Sequence, residues 1–164
     1  MAPTQHPPDD EVDLIIDAWS RLLPDVDLTP LDVMSRLRRV SLRLTRLRAK
    51  AFASAGLTVW EFDVLASLRR ADAPHELSPA QLIDATMIGS AAMTTRLDKL
   101  SRRELVARRP NPLDGRGVLV RLTDDGAARV DAAMTELARV EAVVLRGISR
   151  EDQATMVRVL RQLS

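Results

Sequence analysis

Apolar positions recur along most of the chain at intervals of three and four, the spacing that gathers them on one face of an α-helix. Val12, Ile15, Ile16, Trp19, Leu22 and Leu23 form the first such face, and Pro24 closes it. Thr29 reads as an N-cap, with Pro30 in the first helical position and Asp32 in the first turn. Val33, Leu37, Val40, Leu44, Leu47 and Ala51 then continue as a long seam ending at Gly56. Thr58 and Glu61 have capping-box spacing and open a third helix through Arg70. Ser78 and Gln81 open a short fourth helix to about Thr86, and Ser90 is expected to cap a fifth whose inner stripe is Met93, Leu97 and Leu100.

The period then changes. Residues 105–109 and 118–122 read as two strands joined by a Pro/Asp/Gly-rich turn. Thr123 caps a long helix, and Ser149 opens a last one with Met156, Val157, Leu160 and Leu163 expected inward. The fold class is therefore mainly α with a small β-hairpin wing. Residues 58–123, a helix–turn–helix followed by a hairpin, have the winged helix-turn-helix arrangement.

Composition narrows the chemistry. With no cysteine, the chain lacks a thiolate metal site, a cysteine nucleophile and a thiol sensor. His6 and His75 lie too far apart for a helical metal pair, and no GxGxxG loop is present. No metal, cofactor or enzymatic activity is expected. The acidic, Pro-rich start has no apolar signal core, and no apolar run reaches membrane-spanning length. A cytoplasmic protein without a membrane partner is expected, with residues 1–8 as a disordered tail.

The net charge of +1 conceals segregation. Residues 1–32 hold eight acids against Arg21, whereas residues 96–122 hold eight bases against three acids. A near-neutral chain with one basic segment can bind a polyanion there and stay soluble elsewhere. On the fifth helix, burial of Met93, Leu97 and Leu100 leaves Ala91, Thr94, Thr95, Asp98 and Arg102 on the opposite side. Small residues at a helix N-terminus let its free N–H groups approach phosphate and its side chains approach base edges. Ser90 and Thr94 suit phosphate, and Arg102 and Arg109 add charge. Arg116 at the hairpin tip suits a narrow minor groove, with Asp114 spaced to hold it. The basic run from Arg36 to Lys50 has no assigned role and suits a solvated face.

The stretch LSPAQLIDATMIGSAAMTTRLDKLSRRELVARRPNPLDGRGVLVRLTDDG resembles the MarR-type winged-helix transcriptional regulators. Asp114-Gly-Arg116-Gly-Val-Leu-Val-Arg-Leu-Thr123 follows that family's D-x-R-x-x-x-V-x-L-T wing. The resemblance covers about residues 30–164. It implies a homodimer that sets two recognition helices in successive major grooves of a pseudo-palindromic double-stranded DNA operator. It also implies one MarR-like domain over 9–164, with 29–55 and 124–164 as dimerisation helices and 9–23 as an extra N-terminal helix. The missing cysteines exclude thiol-oxidation sensing, so the signal is expected to be a bound ligand.

Trp19, Asp63, Arg70 and Arg96 resemble the ligand set of the urate-responsive branch. In that branch a Trp comes from an N-terminal helix, an Asp and an Arg from the helix before the reading head, and an Arg from the recognition helix. The resemblance implies a small anionic effector, urate or a related purine, that releases a repressor from DNA. The residues themselves fit this. Asp63 and Arg70 are seven apart on one helix face, and two guanidiniums, a carboxylate and an indole suit a planar anion. They also fit a plain structural reading: Asp63 paired with Arg70 or Arg96, and Trp19 as a packing residue. In the switch expected here, Asp63 pairs with the arginines until an anion competes for Arg96. The alternatives are a MarR-type regulator of another organic acid or an antibiotic, and a helical interaction module that does not bind DNA.

Overall fold

The computed structural model describes residues 10–112 and 114–163; the side chains of residues 114–116 lie outside that description. The expected tail at residues 1–8 also lies outside it. Two compact units divide the chain, residues 1–46 and 47–164. Seven helices and three strands are described: α1 Glu11–Leu22, α2 Thr29–Ser54, α3 Val59–Arg70, β1 Glu76–Leu77, α4 Pro79–Thr86, α5 Ser90–Arg102, β2 Val106–Asn111, β3 Asp114–Leu122, α6 Asp124–Val144 and α7 Arg150–Leu160. The protein is mainly helical with one small antiparallel sheet. No single helix among the described residues is long and apolar enough to cross a membrane.

In the first unit, charge joins α1 to the start of α2. Asp10 caps α1 by accepting the Val12 N–H at 2.7 Å, and Asp13 returns the bond by accepting the Asp10 N–H at 2.7 Å. Arg36 reaches back to Asp10 at 3.1 Å and Asp13 at 2.8 Å, and also pairs with Asp32. Arg39 meets Glu11 at 2.5 Å. Part of the unassigned basic run therefore meets the acidic N-terminal segment. Thr29 is not the cap of α2 but its first residue, and its own N–H is taken by the Asp27 carboxylate at 3.0 Å.

The second unit holds a core in which Phe52 of α2 stacks on Phe62 of α3, centroids 3.8 Å apart. Leu65, Leu68, Leu82, Met93 and Leu97 pack into the same cluster. Glu61 accepts the Thr58 N–H at 2.8 Å, and Gln81 accepts the Ser78 N–H at 2.8 Å, so both expected capping boxes form. Ser90 is not a cap. Gly89 has the extended conformation and receives the Met93 N–H at 3.0 Å, which makes Ser90 the first residue of α5.

The wing is more than a hairpin. β1 adds a third strand, in the order β1-β3-β2, pairing Glu76 with Arg121 and Leu77 with Val120. β2 and β3 run further toward the tip than their alternation suggests, with an irregularity at Pro110/Asn111. The base of the wing is locked to α6. Thr123 caps α6 by accepting the Gly126 N–H at 3.1 Å, and the Thr123 N–H bonds the Leu105 carbonyl at 3.2 Å. A Cβ on Gly126 would run into that same carbonyl oxygen. The expected inward stripe, Met156, Val157 and Leu160 of α7 with Leu163 beyond it, is exposed instead, and no buried residue is found on α7 among the described residues.

Candidate nucleic-acid interface and ligand cleft

Helix α5 turns Met93, Leu97 and Leu100 into the core and leaves Ser90, Ala91, Thr94, Thr95 and Arg102 exposed. Its first turn carries no acid, so the positive end of the helix dipole and its free N–H groups stand unopposed. Thr94 and Thr95 bond back to the carbonyls of Ser90 and Ala91 at 3.4 and 3.5 Å, long bonds that leave both hydroxyls available. Among the described residues Arg102 enters no ion pair.

Two contacts missed by the sequence reading tie this helix down. Asp98 meets Arg108 of β2 at 2.6 Å, so the one acid on the presented face of α5 is neutralised by the wing. Arg103, just past the end of α5, pairs with the buried Glu61 and donates to the Gly56 carbonyl at 2.8 Å. Glu61 therefore serves both as the α3 cap and as an anchor for α5. Hydrogen bonds from Thr58 and Arg103 keep its carboxyl below the ordinary value despite burial.

At the wing, Arg109 is engaged by Glu76, whose side chain is 7% exposed beneath it. Arg121 lies 4.0 Å from the same carboxylate. The pair with Arg109 holds the Glu76 carboxyl below its usual value. The expected Asp114–Arg116 contact lies outside the described side chains.

A cleft of about 520 Å³ opens in the second unit, with Asp63, Ala66, Ser67 and Arg70 of α3 along one wall. This confirms the one-face geometry expected from the spacing of Asp63 and Arg70. Arg48 of α2, Phe62 of α3, the end of α4 with Met87, and Met134, Leu137 and Glu141 of α6 also line it. Arg96 is not among the lining residues. Its guanidinium lies 5.3 Å from the ring centre of Trp60, a residue the sequence reading did not single out. Trp19 belongs to the other compact unit, on α1, where it is half-exposed at 48% and is no core residue.

The expected Asp63–arginine ion pairs do not form. Among the described residues no cation comes within 4.0 Å of the Asp63 carboxylate. Burial pushes its pKa up, against the opposing fields of Arg48, Arg96 and Arg70. The cation missed by sequence is Arg48. Its place on α2 reads as part of a solvated face, yet it lines the cleft and meets Glu141 at 3.5 Å.

A helix–turn–helix whose second helix presents a small polar N-terminus, flanked by a basic three-stranded wing, defines the winged helix-turn-helix class. A family model described as the MarR family matches residues 55–117. The chain is 38% identical over 143 residues to the transcriptional regulator PecS of Dickeya dadantii, spanning 87% of this chain and 86% of that one. It therefore belongs to the MarR family of transcriptional regulators, not to a family of enzymes. The fold agrees: a mutant of Escherichia coli MarR complexed with operator DNA superposes with a TM-score of 0.68 at 28% identity, over 84% of this chain and 99% of that one. Bordetella bronchiseptica BpsR, described with regulation of its DNA binding by 6-hydroxynicotinic acid, gives 0.65 at 28% identity over 79% and 90% of the two chains.

Proposed function

We propose that the protein is a ligand-responsive repressor that binds a pseudo-palindromic operator as a homodimer and is released by a small planar anion. The observation carrying the DNA-binding half is the exposed, acid-free N-terminal face of α5, with Asp98 neutralised by the wing. In this reading Ser90, Ala91, Thr94 and Thr95 approach the major groove, Arg102 and Arg109 meet phosphate, and Arg116, supported by Asp114, enters the minor groove. The domain is residues 9–164, working in the cytoplasm, with 29–55 and 124–164 as dimerisation helices and 9–23 as an addition. The uncovered apolar stripe of α7 supports that pairing.

The effector half rests on Asp63 and Arg70 lining one cleft, with Trp19 and Arg96 contributed by the family resemblance. Urate or a related purine is the effector of first choice. A heterocyclic acid of another kind is the second, favoured by the 6-hydroxynicotinic acid response described for BpsR.

Selection from random duplexes is the direct test. It should return paired half-sites with centres about 10 bp apart, as two successive major grooves require. Urate should then release the bound duplex in a gel-shift titration. Arg96→Asn is expected to bind the duplex within about fivefold of wild type, because the contact it loses among the described residues is a cation–π contact of ~0.5–1 kcal/mol, yet to resist release. A pool that enriches no sequence would overturn the DNA-binding reading; undiminished release of the variant would remove Arg96 from the switch.

A further inference from the structure

We propose that the Arg48–Glu141 ion pair is an internal competitor for the effector: an anionic ligand takes Arg48 in place of Glu141. The proposal rests on the effector reading above and extends it to two residues the resemblance does not supply.

The cleft has the size of a small-molecule site and mixes an apolar floor, Phe62, Ala66 and Leu137, with a few charged groups. Those charges are unequally satisfied. Among the described residues Arg70 enters no ion pair, and Asp63 has no cation within 4.0 Å. Arg48 has one, but at 3.5 Å it is well beyond a charge-assisted bond, and both partners are about two-fifths exposed. Such a pair is easily surrendered.

Arg48 stays in place when the pair opens, because its guanidinium also sits 5.4 Å from the ring centre of Phe52, within cation–π reach. Phe52 is itself fixed by stacking on Phe62. The guanidinium is thus preorganised independently of Glu141. Replacing Glu141 by a ligand carboxylate or enolate exchanges one long contact for a short, paired one. Asp63 then suits a ring N–H on the same ligand. The chemistry selected is a planar heterocycle with an acidic group and an N–H donor, held between Arg48, Arg70 and Asp63. The exchange also removes an ion pair between α2 and α6, giving ligand binding a direct effect on a contact between the long helices.

Calorimetric titration of the full chain with urate and with 6-hydroxynicotinate tests this. Arg48→Gln should weaken binding of the probe by about tenfold or more, the weight of a charge-assisted hydrogen bond, and Arg48→Lys should recover part of the loss. Glu141→Gln should tighten binding by about two- to fivefold, within the weight of an exposed ion pair, and should have no effect in the Arg48→Gln background. Thermal melting of each variant separates these effects from a loss of fold. The neutral 6-hydroxynicotinamide should bind no better to Glu141→Gln than to wild type. If wild type binds and Glu141→Gln fails to tighten, or Arg48→Gln binds normally, the exchange is wrong while the anion response stands. If wild type binds neither probe, both fall.

Discussion

On α5, Met93, Leu97 and Leu100 are 0%, 2% and 0% exposed; on α7, Met156, Val157 and Leu160 are 44%, 49% and 42% exposed. Both helices show the same three-and-four spacing, and both are entered through a residue with extended ψ. Their difference lies in what stands opposite. The α5 stripe meets its neighbours α4 and β2 within the core cluster, whereas the α7 stripe meets water in the single chain. Periodicity thus reports that a segment is helical and which face is apolar, but not what covers it. A covered stripe stabilises the chain; an uncovered one of this size is suited to a partner.

The comparison can be broken by truncating each stripe once. Leu97→Ala is expected to cost ~2–5 kcal/mol of folding stability, the range for a buried leucine losing its side chain, read as a lower denaturant midpoint. Leu160→Ala should leave folding of the isolated chain within ~0.5 kcal/mol, as for an exposed position. Its effect should appear instead as dissociation at higher protein concentration in a dilution series followed by sedimentation. Equal losses of stability in the two variants, with unchanged association in the second, would mean that α7 is covered within the chain after all.

The opposite face of α5 sharpens the same contrast, since its residues are exposed for a different reason. Arg102→Ala should lower operator affinity by about 1 kcal/mol and reduce the slope of log K against log salt by about one, as expected for one phosphate contact. Arg116→Ala should act in the same direction, with a larger loss on A·T-rich flanks. Folding stability should not move. A salt slope identical to wild type would leave Arg102 without a role at phosphate and Arg116 without one in the minor groove.

Much of this was legible in the chain because it depends on local rules. The caps at Thr58, Ser78, Thr123 and Ser149, and the α5 stripe, follow from spacing and hydrogen-bonding capacity within four residues. What was not legible depends on partners far away in sequence. β1 is two residues long, too short for alternation to register, and is a strand only because β3 lies beside it. Arg48 and Glu141 are 93 residues apart, and nothing on α2 distinguishes Arg48 from its six basic neighbours. The first-residue positions of Thr29 and Ser90 show a subtler limit: a good capping residue can be taken into the helix itself, as Ser90 is when Gly89 supplies the extended turn before it. The candidate site divides the same way. The shared face of Asp63 and Arg70 follows from a helical spacing, whereas the missing Asp63–arginine pairs depend on rotamers that no spacing records.

Asp63 lies between the two extremes of the opening comparison, neither covered and satisfied nor freely solvated, and it carries the smallest expected effect. Burial raises its folded-state pKa above the ordinary 3.8, with Arg48, Arg96 and Arg70 opposing without cancelling the shift. A carboxyl whose pKa is raised by folding binds its proton more tightly in the native state. Its ionisation therefore destabilises the fold as pH rises from 3.8 through the folded value, and the penalty is complete above it. Asp63→Asn removes that penalty. The variant should melt slightly above wild type at neutral pH, and the gap should close as pH falls toward 3.8. A variant that instead melts below wild type at neutral pH, with the deficit vanishing on acidification, would mean that Asp63 is held by a cation, as the expected ion pairs require, and would restore those pairs to the ligand-free switch.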